Sequence, residues 1–233
     1  MITTLHHVLQ DISGLFYPNL CTSCQVDLLE GEVIICTSCS SKLQQATSMQ
    51  NIEHILSQRL LGKAHISNVF AAYYFARDTP LQAMMHALKY EGKQDVGLFL
   101  GNYLGRQLKQ QSWMQDIDCI IPIPLSEKKK QLRGYNQSEI VAQALSEALQ
   151  IRLDLTSLVR VKNTLSQTTM TLPQRYDNLL DAFKCEPFSS NTKHILLIDD
   201  VITTGSTIES AVRSIRVNAQ LEISVAALAF AIN

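Results

Sequence analysis

The chain has 233 residues, of which 46% are hydrophobic and 18% charged, with nine Gly and six Pro. That length suits one well-buried domain plus a small appendage, and the apolar fraction excludes wholesale disorder, a collagen-like repeat or a low-complexity chain. Twenty Lys and Arg against 21 Asp and Glu give a formal net charge of −1, so bulk charge argues neither for nor against a nucleic-acid partner.

Residues 1–20 lack the basic start, continuous apolar core and cleavage site of a secretory signal. No run of about 18 apolar residues follows, so no membrane span is expected. Six Cys without an export signal point to reduced thiols and a cytoplasmic setting. Leu5, Val8, Leu9, Ile12, Leu15 and Phe16 share one helical face, and Pro18 ends that helix. The polar, Gln-rich stretch after Ser40 carries only weak faces. The expected organisation is a cysteine module over residues 1–45, a linker over 46–65 and a main domain over 66–233.

In the main domain, VFAAYYF at 69–75 predicts a strand. Pro80 opens a helix on Leu81, Met84, Met85 and Leu88, and a second helix follows on Val96, Phe99, Leu100, Tyr103, Leu104 and Leu108. CIIPIPL at 119–125 predicts a short buried strand, its prolines marking a strand end or edge. Residues 138–149 form an amphipathic helix capped by Asn136 or Ser138. HILLIDD at 194–200 is a strand closing on two acids, Ile208 to Ile215 a helix, and ISVAALAFAI at 223–232 a last strand. Apolar strands alternating with helices predict an α/β fold with a parallel sheet covered on both faces.

Cys21-x2-Cys24 and Cys36-x2-Cys39 are two knuckles separated by eleven residues. Four thiolates at this spacing suit a closed, structural zinc site. In such peptides metal binding is worth roughly 10–16 kcal/mol, enough to hold together a segment poor in apolar residues. The competing reading is unrelated thiols or redox dithiols. Cys119 and Cys185 stand alone, Cys119 as a small core residue, and the six His show no mutual spacing that suggests a catalytic or metal cluster.

The strongest signal is the run from Ile195 to Thr207. A buried strand ends in Asp199 and Asp200, and a loop of Thr203, Thr204, Gly205, Ser206 and Thr207 opens a helix. Successive backbone N–H groups at a helix N-terminus wrap a phosphate monoester, hydroxyls add donors, and Gly205 admits a close backbone approach. The acids repel a phosphate and suit the hydroxyls of an attached sugar. Phosphate at one end and a diol at the other describe a ribose 5-phosphate; the bland alternative is two solvated acids before a capped helix. The run carries neither a Walker A Gly-Lys-Ser/Thr nor a three-glycine dinucleotide pattern.

A second anion loop is expected after the CIIPIP strand. Between Lys128 and Arg175 lie eight Lys/Arg against three acids, net +5. Arg133, Gly134 and Asn136 sit there at another helix start, with an exposed basic loop as the plain alternative.

The Asp199–Thr207 run resembles the phosphoribosyl-pyrophosphate (PRPP) signature of type I phosphoribosyltransferases. The order of motifs is similar to the ComF (GntX) family: the C-x-x-C module, His86-Ala87-Leu88-Lys89-Tyr90-Glu91-Gly92, the Pro-x-Pro strand with Arg133-Gly134-Tyr135-Asn136-Gln137, Arg160 to Gln167, Arg175, Asn178, Ala182-Phe183 and the acid–Thr–Gly loop. The resemblance covers nearly the whole chain. It implies a type I phosphoribosyltransferase-like domain that binds PRPP with magnesium, with Asp199 and Asp200 as catalytic acids. It also implies a loop over 160–183 closing on the diphosphate, with Arg160, Gln167, Arg175 and Asn178 as polar contacts. Lys89 is a further contact or a core-edge or surface lysine. Family membership implies a role in natural competence, with single-stranded DNA and other competence proteins as partners, either as a transferase to an unnamed acceptor or as a non-enzymatic PRPP sensor. Many members carry further C-x-x-C elements, which residues 40–65 here lack.

Overall fold

A computed structural model describes residues 19–46, 65–161, 182–219 and 221–231. The expected helix over 5–16, and nearly all of the 46–65 linker, lie outside these residues. The main-domain elements in chain order are β1 (Asn68–Tyr74), α1 (Pro80–Tyr90), α2 (Gln94–Leu108), β2 (Cys119–Pro122), α3 (Glu127–Arg133), α4 (Gln137–Leu149), β3 (Arg152–Leu153), β4 (Leu158–Arg160), β5 (Phe183–Cys185), β6 (His194–Ile202), α5 (Ser206–Asn218) and β7 (Glu222–Phe230).

Five strands form one sheet in the order β1-β7-β6-β2-β3, and every pairing in it is parallel. The nine-residue β6 is apolar on both sides until it reaches its acids, so it can sit only in the interior of a sheet, between β7 and β2. Its side chains alternate between two cores. Leu196 and Ile198 join α1, α2 and α4 on one face. Ile195 and Leu197 meet Ile208, Ala211, Val212 and Ile215 of α5 on the other. Both faces are therefore covered, as the apolar strands predict. β4 and β5 pair antiparallel as a separate ribbon.

Thr79 caps α1, its hydroxyl accepting from the Gln82 N–H at 3.3 Å, and Pro80 occupies the first turn. Asn136 caps α4, its Oδ1 accepting from the Ser138 N–H at 3.1 Å. β2 stops at Pro122 but lies inside the sheet, so its prolines mark an end and not an edge. The stretch 128–133, expected as a loop, is instead helical as α3.

Helices α2 and α4 meet along small residues. A Cβ at Gly97 would lie 2.8 Å from Ile140 Cγ2, and one at Gly101 2.8 Å from Ala144 Cβ and 3.0 Å from the Val141 carbonyl oxygen. No larger side chain fits there, so the glycines set how closely α4 approaches.

The cysteine-bearing segment packs into the first core. Cys21, Ile34, Ile35 and Cys39 are buried with Leu81, Met84 and Met85 of α1. The Tyr74 N–H donates to the Gln44 carbonyl at 2.9 Å, tying the segment to β1.

Candidate functional site

The chain leaves β2 toward β3 and leaves β6 toward β7, in opposite directions across the sheet. Loops after two adjacent parallel strands thus diverge at one point, which is where open α/β sheets hold ligands. A cavity of about 150 Å³ lies there. Lys89, Arg133, Arg160, Asp199, Asp200 and Thr207 all line it, although they come from five separate elements.

Each arrives for a local reason. Asp199 and Asp200 follow Ile198, the last β6 residue paired with β2; the strand does not close on them as expected but stays paired with β7 as far as Ile202. Lys89 rides the last turn of α1, and its Nζ lies 2.7 Å from Asp200 Oδ2. Arg133 ends α3, and Gly134 closes that helix in the left-handed region at φ +80°. Arg133 Nη1 donates to Gln137 Oε1 at 2.7 Å, and its guanidinium lies 5.2 Å over the Tyr90 ring. Arg160 ends β4 with its guanidinium 5.2 Å over the Phe183 ring; burial pushes its pKa down and the charge of Asp199 draws it back up.

The acids are not equivalent. Burial, reinforced by the charge of Asp200, pushes the Asp199 carboxyl up to about 7. The Asp200 N–H at 2.8 Å, Lys89, and the Ser138 hydroxyl at 3.5 Å act in the opposite direction. The Val201 N–H donates to Asp200 Oδ1 at 2.7 Å.

Beyond β6, Gly205 adopts φ +78° and ψ −1° and caps α5. A residue with a Cβ is strained in that conformation, which is the physical need for glycine at this point. Thr203 and Thr204 are exposed, Gly205 is buried, and Ser206 and Thr207 are half-buried. Thr204 Oγ1 and Ser206 Oγ lie 2.9 Å apart, and the first α5 bond runs from the Glu209 N–H to the Gly205 carbonyl at 2.9 Å. Of this loop only Thr207 lines the cavity; Thr203, Thr204 and Gly205 stand between β6 and α5, and Ser206 opens α5, all outside its lining.

Other expected contacts fall elsewhere. Asn136 is 1% exposed and spends its side chain on the cap and on the Ile123 carbonyl at 3.0 Å. Gly134 does not line the cavity. Gln167, Arg175 and Asn178 lie outside the described residues. Lys129 and Ser138 do line it, and sequence reasoning had placed them only in a basic run and at a helix cap. Lys129 lies within α3 and Ser138 in the first turn of α4, and their place in the segment that follows β2 was the available signal.

The four clustered cysteines come together as their spacing predicts. Their sulfurs all lie within 4.8 Å of one another, with Cys24 and Cys36 Sγ 3.7 Å apart. A tetrahedral zinc with sulfurs at about 2.3 Å needs sulfur–sulfur separations of about 3.8 Å, so the donor set and its size fit that ion. Against the upward push of burial, the amides of Cys24, Cys36 and Ser23 bring the Cys21 thiol down to about 6. Burial pushes Cys39 up to about 12. All six cysteines are free thiols. Among the described residues no helix is long and apolar enough to cross a membrane.

Fold and site together define a parallel α/β protein with an acid pair near the end of its central strand, a Thr/Gly loop beyond it and an N-terminal four-cysteine cluster able to hold a metal. No protein-family model matches the sequence. The chain is 30% identical over 216 residues to Competence protein F of Haemophilus influenzae (strain ATCC 51907 / DSM 11121 / KW20 / Rd), covering 90% of each. It is 29% identical over 203 residues to DNA utilization protein YhgH of Escherichia coli O6:H1, covering 82% of this chain and 88% of that protein. The chain belongs to the ComF/YhgH family of competence proteins. Among solved structures, glutamine PRPP amidotransferase from B. subtilis aligns with TM-score 0.42 and 20% identity, over 61% of this chain and 30% of that one. Adenine phosphoribosyltransferase from Leishmania tarentolae aligns with TM-score 0.39 and 12% identity, over 78% and 89%.

Proposed function

We propose that the protein binds PRPP with Mg²⁺ in the cavity between the ends of β6 and β2, and acts in the use of imported single-stranded DNA. The observation that carries the reading is the convergence of Asp199 and Asp200 with Lys89, Arg133 and Arg160 in one small cavity beside the Thr203–Thr207 loop. The loop amides take the 5′-phosphate, the acids take the ribose diol, and the cations take the diphosphate. Asp199 and Asp200 are hard oxygen donors that suit Mg²⁺, which when bound would offset the charge of a departing diphosphate. The acids favour positive charge developing near the sugar's anomeric carbon. Zinc at Cys21, Cys24, Cys36 and Cys39 has a structural role. The DNA role rests on the relatives named for competence and DNA utilization, and on exposed Lys128, Lys129 and Lys130 next to the site.

Calorimetry with PRPP and Mg²⁺ tests the reading. Wild type gives a binding heat, and the Asp199→Asn, Asp200→Asn double variant and Gly205→Val each lose it, with circular dichroism checking the fold. Equal heats in all three would remove the site. Diphosphate release that depends on an added acceptor marks a transferase; binding without release marks a sensor.

A further inference from the structure

The loop between the two cysteine knuckles is built to hold apolar side chains outward. Glu32 pins it: its carboxylate accepts from the Leu29 N–H at 2.9 Å and from the Thr37 N–H and hydroxyl, each at 2.6 Å. Gly31 turns the chain at φ +88°, and the Cys21 N–H donates to the Val26 carbonyl at 2.8 Å. On that fixed frame Val26, Leu29 and Val33 are 59%, 74% and 68% exposed. Asp27, Glu30 and Glu32 lie among them, and no Lys or Arg occurs between Cys21 and Cys39. An acidic, apolar surface repels nucleic acid and suits a protein surface that is basic and apolar.

α3 has that opposite character. It carries Lys128, Lys129, Lys130 and Arg133 against one acid, Glu127, and its Leu132 is 77% exposed. None of its residues is buried. So short a helix draws its stability from packing, and Leu132 finds little of it among the described residues.

The two surfaces flank one helix. Ala83 and His86, in the first two turns of α1, line a cavity of about 510 Å³ together with Cys24 and Cys39. Tyr90, four residues beyond His86 and on the same face, lies under the Arg133 guanidinium at 5.2 Å. The knuckles thus stand at one end of this face and α3 at the other, with His86 and Tyr90 exposed between them. A two-fold axis across the face sets each acidic loop against the basic helix of the other copy, so the contact is made twice.

We propose that two copies of the chain associate through this face, the 26–33 loop of each seated on α3 of the other. Val26, Leu29 and Val33 cover Leu132, and the loop carboxylates meet Lys128 and Lys130. A strand of DNA would meet the lysines but leave these four apolar side chains bare, so a second copy answers more of what is exposed. Because Arg133 of α3 lines the ligand cavity, the loop of one copy stands beside the cavity rim of the other.

Sedimentation velocity on a dilution series of the full chain tests this. Wild type should pass from one chain to two as concentration rises, and added salt should weaken the association. Asp27→Lys with Glu30→Lys reverses the loop; Lys128→Glu with Lys130→Glu reverses α3 and spares Lys129, which lines the cavity. Each double variant should associate at least about tenfold more weakly, since like charges then face each other. An equimolar mixture of the two should return to the two-chain mass, because every contact again pairs opposite charges, and this recovery also guards against misfolding. Wild type that stays a single chain, variants that associate as wild type does, or a mixture of folded variants that stays apart each overturns the proposal. So does an α3 variant that loses retention of single-stranded DNA with its association untouched, a result that gives the lysines to nucleic acid. All of these outcomes leave the phosphoribose reading standing.

Discussion

Lys89 Nζ lies 2.7 Å from Asp200 Oδ2, with the two side chains 20% and 17% exposed. An acid assigned to a sugar diol is therefore already engaged by a cation from another helix, and the ligand must share or displace it. Lys89 also counters the rise in the Asp199 pKa. Lys89→Met should leave the acids facing each other without a counter-charge and move the pH midpoint of PRPP binding upward. At pH 7 affinity should fall about tenfold, a loss of about 1.4 kcal/mol, and recover in part above pH 8. A pH–affinity curve that coincides with wild type would reduce the ion pair to a surface detail.

Asp199 gives a prediction for stability. Its pKa in the folded state is about 7, above the value of about 3.9 for a free aspartate, so the folded chain binds the extra proton across that interval. The stability that this proton confers is complete below about pH 4 and is lost as pH rises through 7. Asp199→Asn, neutral at every pH, should melt several degrees above wild type at pH 8 and close to it at pH 4. Thermal scans across that range decide it, and parallel curves would exclude a buried proton at this position.

Asp154 has the opposite sign. Burial pushes its carboxyl up, but the Ser157 hydroxyl at 2.6 Å, the Thr156 and Ser157 amides at 2.8 and 2.9 Å and the Thr156 hydroxyl at 2.9 Å bring it down to about 2. Its contribution is present above about pH 4 and lost as pH falls toward 2. Asp154→Ala should cost about 1–3 kcal/mol at pH 7 and much less near pH 2, as read by denaturant titration.

The four-sulfur cluster predicts about one zinc per chain, measured by elemental analysis of protein purified without added metal. Cys24→Ser should lower both zinc content and melting temperature, because Cys21 and Cys39 are packed into the α1 core and loosen with the knuckle. Cys119→Ser, in β2, should leave the zinc content unchanged. Full metal loading in the Cys24 variant would refute the assignment.

Much of the sheet was legible because β6 and β7 are apolar over long runs, and the acids mark where β6 passes the end of β2. Helices α1, α2, α4 and α5 announced themselves by apolar spacing and caps. α3 gave no such signal because it buries none of its residues. β3, β4 and β5, at two or three residues each, are too short to show a period. At the site, Asp199, Asp200 and Arg133 could be read from strand and helix ends. The approach of Lys89 to Asp200 could not, since it depends on how α1 packs across the sheet.

The bare contact between α2 and α4 has an evolutionary corollary. Gly101 confronts Ala144 and the carbonyl of Val141, and the first turn of α4 brings Ser138 to the cavity lining. Trimming Ala144 would still leave the Val141 carbonyl 3.0 Å from a Cβ at 101, so descendants of this sequence are held to glycine there even though the position touches no ligand.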